Sequence, residues 1–299
     1  MKSFSNPLID ADFPDPSVIF VPGEGYYAHG THDEFSPSIN NVQVSFSKDL
    51  KEWSKPRGAL REMPKWGRMC NKFWAPHVVK VGDEYRMYYS AEPDDKKGMC
   101  IALATSQTPT DFVDIGAPLF SADSYKMIDP CYFIDPKTNR HFLYYGSAHE
   151  PIRVIEMEKD GRTVKGPPLD VLYPDPSRPY ESLREGAFVS YRKKWDRYYL
   201  WVSGNNTWKS GEYAVTVFYS DSPLGPFTRY GTVLKEDERW DAPGQNCILA
   251  VEDGTDILFY HAVDRSDPYI PGTTIFLRKM CARFVEYTDD GWPRIKISH

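Results

Sequence analysis

The chain repeats itself. Five segments open on a turn residue, enter a short apolar run, turn through polar residues and return through an aromatic-rich run. They start at Asp15, Ala75, Asp129, Glu185 and Gln245, with successive starts 60, 54, 56 and 60 residues apart. This spacing constrains the fold strongly. A unit of that length carries only a few strands, cannot bury both faces of its own small sheet, and must pack against copies of itself.

Within the units, VIF, VVK, YFI, FVS and ILA are short β-prone runs, and turns such as VGDE and DPKTN follow. The return runs are YYAH, YRMYYS, FLYYG, YYLWVS and ILFYHA, so each unit reads as a hairpin. A third strand follows in each, for example VQVSFS, CIALATS and YAVTVFYS. Long helical periodicity is absent. The expected fold is all-β: a five-bladed β-propeller in which residues 1–299 form a single domain, since no Gly/Ser linker or composition shift divides the chain. A β-sandwich with coincidental self-similarity is the competing architecture, and the even spacing disfavours it.

Composition narrows the partners. With 20 Tyr, 16 Phe and 8 Trp the chain suits a β-rich core or a sugar-stacking surface. A net charge of −6 offers no basic excess for tracking phosphates, so no nucleic-acid partner is expected. No window approaches 18 apolar residues, and no membrane association is expected. The five cysteines are odd in number and lack CxxC spacing, which argues against a disulfide framework or a zinc site. The N-terminal MKSFSNPLIDADF has no apolar signal core, so the expected location is cytoplasmic, or secreted if a signal once preceded it.

The first residues of the units form a column: Asp15, Ala75, Asp129, Glu185 and Gln245. Propeller blades begin near the central channel, so three carboxylates converge on one funnel. Like charges brought together repel and raise one another's pKa, and fold stability has no use for that. Glycosidic hydrolysis does: one carboxyl must be protonated to donate to the leaving oxygen, and another ionised to activate water or attack.

NPLIDADFPDPS, WAP at Trp74 to Pro76, IDP at Ile128 to Pro130, REG at Arg184 to Gly186, SDSPLGPF and DGWP resemble, in order and at blade spacing, the motifs of glycoside hydrolase family 43. The resemblance implies a five-bladed propeller of inverting enzymes acting on arabinan, xylan and related chains. It implies Asp15 as general base, Glu185 as general acid, and Asp129 as the residue that tunes the acid's pKa. It also implies a sugar contact from Arg278, in TIFLRKM, with pairing to a structural acid as its other reading, and places His261, in FYHA, low in the channel, where a satisfied core role outweighs a sugar contact; Gln245 is a further candidate sugar contact. Trp74 and Phe73, just before the second unit, are candidate stacking platforms, with packing between blades as their other reading. Trp208 and Trp240 are further aromatic candidates. Two departures stand out. Gln245 occupies the place where family members carry a His near a central cation, so a structural Ca²⁺ in the channel is in question and no cofactor is required. His77 replaces an acid, and is read as a packing or pocket residue.

The substrates expected from the resemblance are arabinose- or xylose-containing oligosaccharides released from hemicellulose. Family β-xylosidases often carry a further C-terminal β-sandwich; none follows the fifth unit here, so the leading expectation is an α-L-arabinofuranosidase with possible β-xylosidase activity. Endo-1,5-α-L-arabinanase and β-xylosidase are the alternatives, and a propeller used as a binding module is the non-enzymatic one.

Overall fold

The computed structural model describes residues 3–32, 41–70, 72–147, 149–251 and 255–296. The turn of the fifth hairpin, at residues 252–254, lies outside the described residues. Five antiparallel sheets follow one another along the chain. Blade one holds β1 (Ser17–Val21), β2 (Gly25–Gly30), β3 (Gln43–Ser47) and β4 (Arg57–Gly58). Blade two holds β5 (Phe73–Val81), β6 (Glu84–Ala91), β7 (Cys100–Ser106), β8 (Val113–Asp114) and β9 (Phe120–Ser121). Blade three holds β10 (Cys131–Ile134), β11 (His141–Tyr145), β12 (Ile152–Met157) and β13 (Leu169–Leu172). Blade four holds β14 (Arg184–Arg192), β15 (Arg197–Gly204), β16 (Ala214–Ser220) and β17 (Thr228–Leu234). Blade five holds β18 (Trp240–Ala250), β19 (Asp256–Asp264), β20 (Arg278–Tyr287) and β21 (Pro293–Ile295).

The innermost strands β1, β5, β10, β14 and β18 neighbour one another in a ring. All five apolar runs read from the sequence lie in these strands, as the propeller expectation requires. Each seam between blades has its own core. Val44, Phe73 and Tyr89 fill the first seam, and Tyr88, Leu103 and Tyr132 the second. Tyr144, Leu200 and Phe218 fill the third, and Trp201, Ile248 and Tyr260 the fourth. The last seam, between blades five and one, packs Phe13, Tyr26, Phe259 and Met280. Sheets buried on both faces explain why CIALA and LFYHA read as unbroken apolar runs rather than alternating ones, and why the aromatic content is high.

The ring is closed by the N-terminal segment. Leu8 N–H donates to the Met280 carbonyl at 2.7 Å, Phe13 N–H to that of Arg278 at 2.9 Å, and the Asn6 amide bonds both backbone groups of Ala282. Residues 6–13 thus run along β20 and lead the chain directly from blade five to Asp15.

Candidate active site

One backbone detail builds the site. At the inner end of every blade one residue sits in the left-handed region: Asp15 (φ 57°), Ala75 (43°), Asp129 (59°), Gly186 (61°) and Gln245 (49°). Four of the five are not glycine, and a left-handed non-glycine costs on the order of 1–3 kcal/mol, so the surroundings must hold each one there. They do so through the backbone N–H. Ala75 N–H donates to Thr31 Oγ1 at 2.7 Å, Asp129 N–H to Ser90 Oγ at 3.0 Å, and Gln245 N–H to Ser203 Oγ at 2.7 Å. Asp15 N–H points to His261 Nδ1 at 3.2 Å. The acceptors come from the inner end of the second strand of the preceding blade.

Blade four departs from this rule. The matching second-strand position in blade three is Gly146, as the pairing registers show, and it has no side chain to offer. Gly186 N–H donates instead to Asp129 Oδ2 at 3.0 Å. This also corrects the column read from the sequence. The equivalent of Asp15, Ala75, Asp129 and Gln245 is Gly186, and Glu185 stands one residue earlier, level with Trp74 and Ile128. A bulge surrounds the left-handed residue in β5, β14 and β18 alike, so the strands match and it is the acid of blade four that stands one position earlier. The three carboxylates therefore reach the funnel from two different levels.

They meet in a cavity of about 140 Å³ lined by Asp15, Asp129, Glu185, Tyr213, Gln245 and Arg278, among others. Asp15 accepts a short hydrogen bond from the Thr31 hydroxyl. Its Oδ1 lies 3.0 Å from His261 Nδ1 and 3.6 Å from Arg278 Nη1. Burial pushes its pKa up, but the Arg278 guanidinium, His261 and Thr31 outweigh that and hold it at about 2. Glu185 is shifted the other way. Burial raises it, against hydrogen bonds from Ser147 Oγ (2.8 Å) and Tyr213 Oη (2.8 Å), and the Asp15 charge adds to the rise. Asp129 is raised well above the usual range by burial and by the charges of Glu185 and Asp15, against the Gly186 N–H and the Gln245 side chain. Two carboxyls with opposite shifts facing one pocket can perform proton transfer in both directions.

The other candidates divide. Trp74, Gln245 and Arg278 line the cavity. Trp74 stacks on Tyr125 with centroids 6.0 Å apart, and the Arg278 guanidinium lies 4.3 Å from the Trp208 ring centroid. Trp208 and Tyr125 are both exposed at the rim. Phe73 is not a sugar platform: it is fully buried in the first seam beside Tyr89. His261 is not a sugar contact either. It is fully buried, stacked on Tyr213 with rings 4° from parallel, and its Nε2 lies 3.0 Å from Thr207 Oγ1. It supports Asp15 from behind. Trp240 is buried in the fourth seam. His77 faces Phe188 in the channel below the site, where burial lowers its pKa to about 4.

Sequence reading missed Thr31, Ser147, Thr207 and Tyr213. Thr31 falls in the second-strand column with Ser90 and Ser203 and was findable there; Tyr213 lies in a loop with no repeating signal. The channel does not suit calcium. That ion takes six to eight oxygens, usually with several carboxylates. Below Asp15 and Asp129 the wall offers His77, Asn246 and Cys247, and the described residues hold no group of three or more His, Cys, Asp or Glu side chains placed to bind a metal.

A sequence profile described as Glycosyl hydrolases family 43 matches residues 4–293. The extracellular endo-α-(1→5)-L-arabinanase of Thermotoga petrophila is 28% identical over 255 residues, covering 71% of this chain and 50% of that protein; the chain spans about half that relative's length. The probable arabinan endo-1,5-α-L-arabinosidase A of Aspergillus flavus is 29% identical over 288 residues, covering 88% of this chain and 85% of the relative. Among solved structures, a thermostable family-43 glycoside hydrolase superposes with a TM-score of 0.81 at 28% identity, covering 99% of this chain and 96% of that one.

Proposed function

The chain belongs to glycoside hydrolase family 43, and from that premise we propose that it hydrolyses α-1,5-linked L-arabinan and the oligosaccharides cut from it, as an inverting arabinanase. This departs from the arabinofuranosidase reading favoured by the sequence. The relatives described above bear arabinanase and arabinosidase names, which supports the alternative. The exposed aromatics Tyr125 and Trp208 at the rim also suit a chain that extends beyond a single sugar.

The observation that carries the reading is the contrast between Asp15 and Glu185. Asp15, held near 2, is ionised at any working pH and serves as the base that takes a proton from water. Glu185, raised by burial, keeps its proton and gives it to the leaving glycosidic oxygen. Asp129, itself raised well above the usual range by burial and by the charges of Glu185 and Asp15, does not ionise together with Glu185; its role is to keep a proton on the pair. Arg278 and Trp74 hold the sugar, the first through a fixed fork of donors and the second through its ring face.

The test compares linear 1,5-arabinan, arabino-oligosaccharides, xylo-oligosaccharides and aryl α-L-arabinofuranosides and β-D-xylosides, with the product anomer followed by NMR. Cleavage of 1,5-linked arabinan with inversion is expected. Turnover of aryl arabinofuranosides alone would return the reading to an arabinofuranosidase, preference for xylosides would make it a xylosidase, and retention of configuration would remove the roles assigned to Asp15 and Glu185.

A further inference from the structure

Between Asp129 and Glu185 runs a continuous hydrogen-bonded chain of uncharged groups. The Gln245 side chain hydrogen-bonds the Asp129 carboxyl, its amide nitrogen donating when that carboxyl is ionised. Its Oε1 then faces the Tyr213 hydroxyl at 3.3 Å. The same hydroxyl lies 2.8 Å from Glu185 Oε1. Tyr213 therefore has one proton and two acceptors.

The rest of the surroundings hold these groups still. The Tyr213 ring is buried and stacked on His261. Gly244 leaves it room, since a Cβ there would come within 2.1 Å of the ring. Gly186 leaves room for the Gln245 amide, since a Cβ there would lie 2.3 Å from Oε1. Only rotation about the phenolic C–O bond is left free.

We propose that Gln245 and Tyr213 act as a hydrogen-bond switch that lets Glu185 change protonation state without moving, the hydroxyl pointing to Gln245 while Glu185 is protonated and to Glu185 once it is ionised. This rests on Glu185 being the acid. When Glu185 releases its proton to the leaving oxygen, Oε1 becomes a full acceptor and the Tyr213 O–H turns onto it. When solvent returns the proton after product leaves, the O–H turns back to the Gln245 carbonyl. Tyr213 keeps its own proton throughout, and none passes through the amide. The charged or titratable groups facing Glu185 are Asp15, Asp129, Arg278 and Tyr213, with Ser147 supplying a second, fixed hydroxyl. Tyr213 and Gln245 are positioning residues for the acid.

The switch makes two variants move one quantity in opposite directions. Tyr213→Phe removes a donor to ionised Glu185, so the basic limb of kcat/KM moves up by about one pH unit, the value of a hydrogen bond to a charged group. Gln245→Met, close to isosteric, removes the competing acceptor and leaves Tyr213 bonded to Glu185 permanently. The Glu185 pKa falls, and the basic limb moves down. The measurements are pH–rate profiles on arabinotriose and on an aryl arabinofuranoside. Infrared titration of the carboxyl band in the same variants, with Glu185→Gln as blank, gives the pKa independently of turnover. Opposite shifts support the switch. Shifts of the same sign, or none, in folded variants overturn it even if Glu185 is the acid. If Tyr213→Phe fails to fold, an upward or absent shift in Gln245→Met overturns it alone. Wild-type turnover of arabinotriose by Glu185→Gln would instead bring down the underlying reading.

Discussion

Replacing Asp15 by Asn tests the electrostatics of the site through stability as well as rate. The carboxylate is held at about 2, against an ordinary value of 3.8. At about 1.4 kcal/mol per unit, that difference makes the ionised form worth about 2 kcal/mol more in the folded protein than in the unfolded chain. Arg278 is buried and the Asp15 side chain is only 11% exposed, so solvent screens little of this. Asparagine resembles the protonated acid in shape and carries no charge. The sign follows from the lowered pKa: the stabilisation is present above about 3.8 and disappears as pH falls toward 2, with about half remaining at pH 3. The variant should therefore be about 2 kcal/mol less stable than wild type at pH 7 and about 1 kcal/mol less stable at pH 3. Repulsion between Asp15 and the other two carboxyls makes these upper figures. Urea unfolding followed by tryptophan fluorescence at pH 7, 5, 4 and 3 measures the gap. A gap that stays constant with pH, or an Asn variant more stable than wild type at neutral pH, would refute the account of Arg278 and His261 as the groups that hold Asp15 ionised.

Glu185→Ala should lose about 10²–10⁴ in kcat/KM on arabino-oligosaccharides but far less on aryl glycosides with good leaving groups; equal loss on both would remove it as the acid. The wild-type pH profile should be lopsided. With Asp15 near 2, activity should persist down to the pH where the fold fails, and decline on the basic side as the raised Glu185 loses its proton; an acidic limb between pH 4 and 5 in a folded enzyme would contradict this. Gly186→Ala should cost about 1–3 kcal/mol for the left-handed backbone alone, and displace Gln245 as well, so wild-type stability and turnover in that variant would be contrary to the packing described.

The strands that build the blades were readable because the blade seams bury both faces and make the runs apolar. The outermost strands were not: β4 and β8 are two residues long, and the third-strand turns gave no sign of them. Closure by residues 6–13 on β20 was also hidden, because it depends on backbone pairing between the two ends of the chain. At the site, Asp15, Asp129 and Glu185 were legible as charges in an otherwise neutral column. Their exact levels were not, because nothing in composition shows that the acid of blade four stands one residue before the left-handed position that the acids of blades one and three occupy. Phe73 and Trp74 show the limit: adjacent residues on one strand face opposite ways, and only the register decides which meets the pocket.

The chemistry collects where the repeat breaks its own rule. Three blades hand a hydroxyl, from Thr31, Ser90 or Ser203, to the left-handed N–H of the next. In blade five the hydroxyl is replaced by the His261 imidazole, whose Nδ1 lies beside both the N–H and the carboxylate of Asp15 and, when it carries the proton, donates to the carboxylate and helps keep that acid ionised. In blade three it is replaced by nothing, so the Asp129 carboxyl turns to the Gly186 N–H and is drawn toward blade four, where burial and the Glu185 and Asp15 charges raise it well above the usual range. A fully regular ring would satisfy every N–H and leave the carboxyls equivalent. Two exceptions, an added imidazole and a missing side chain, pull the acids into unlike surroundings, and unlike surroundings are what separate a base from an acid.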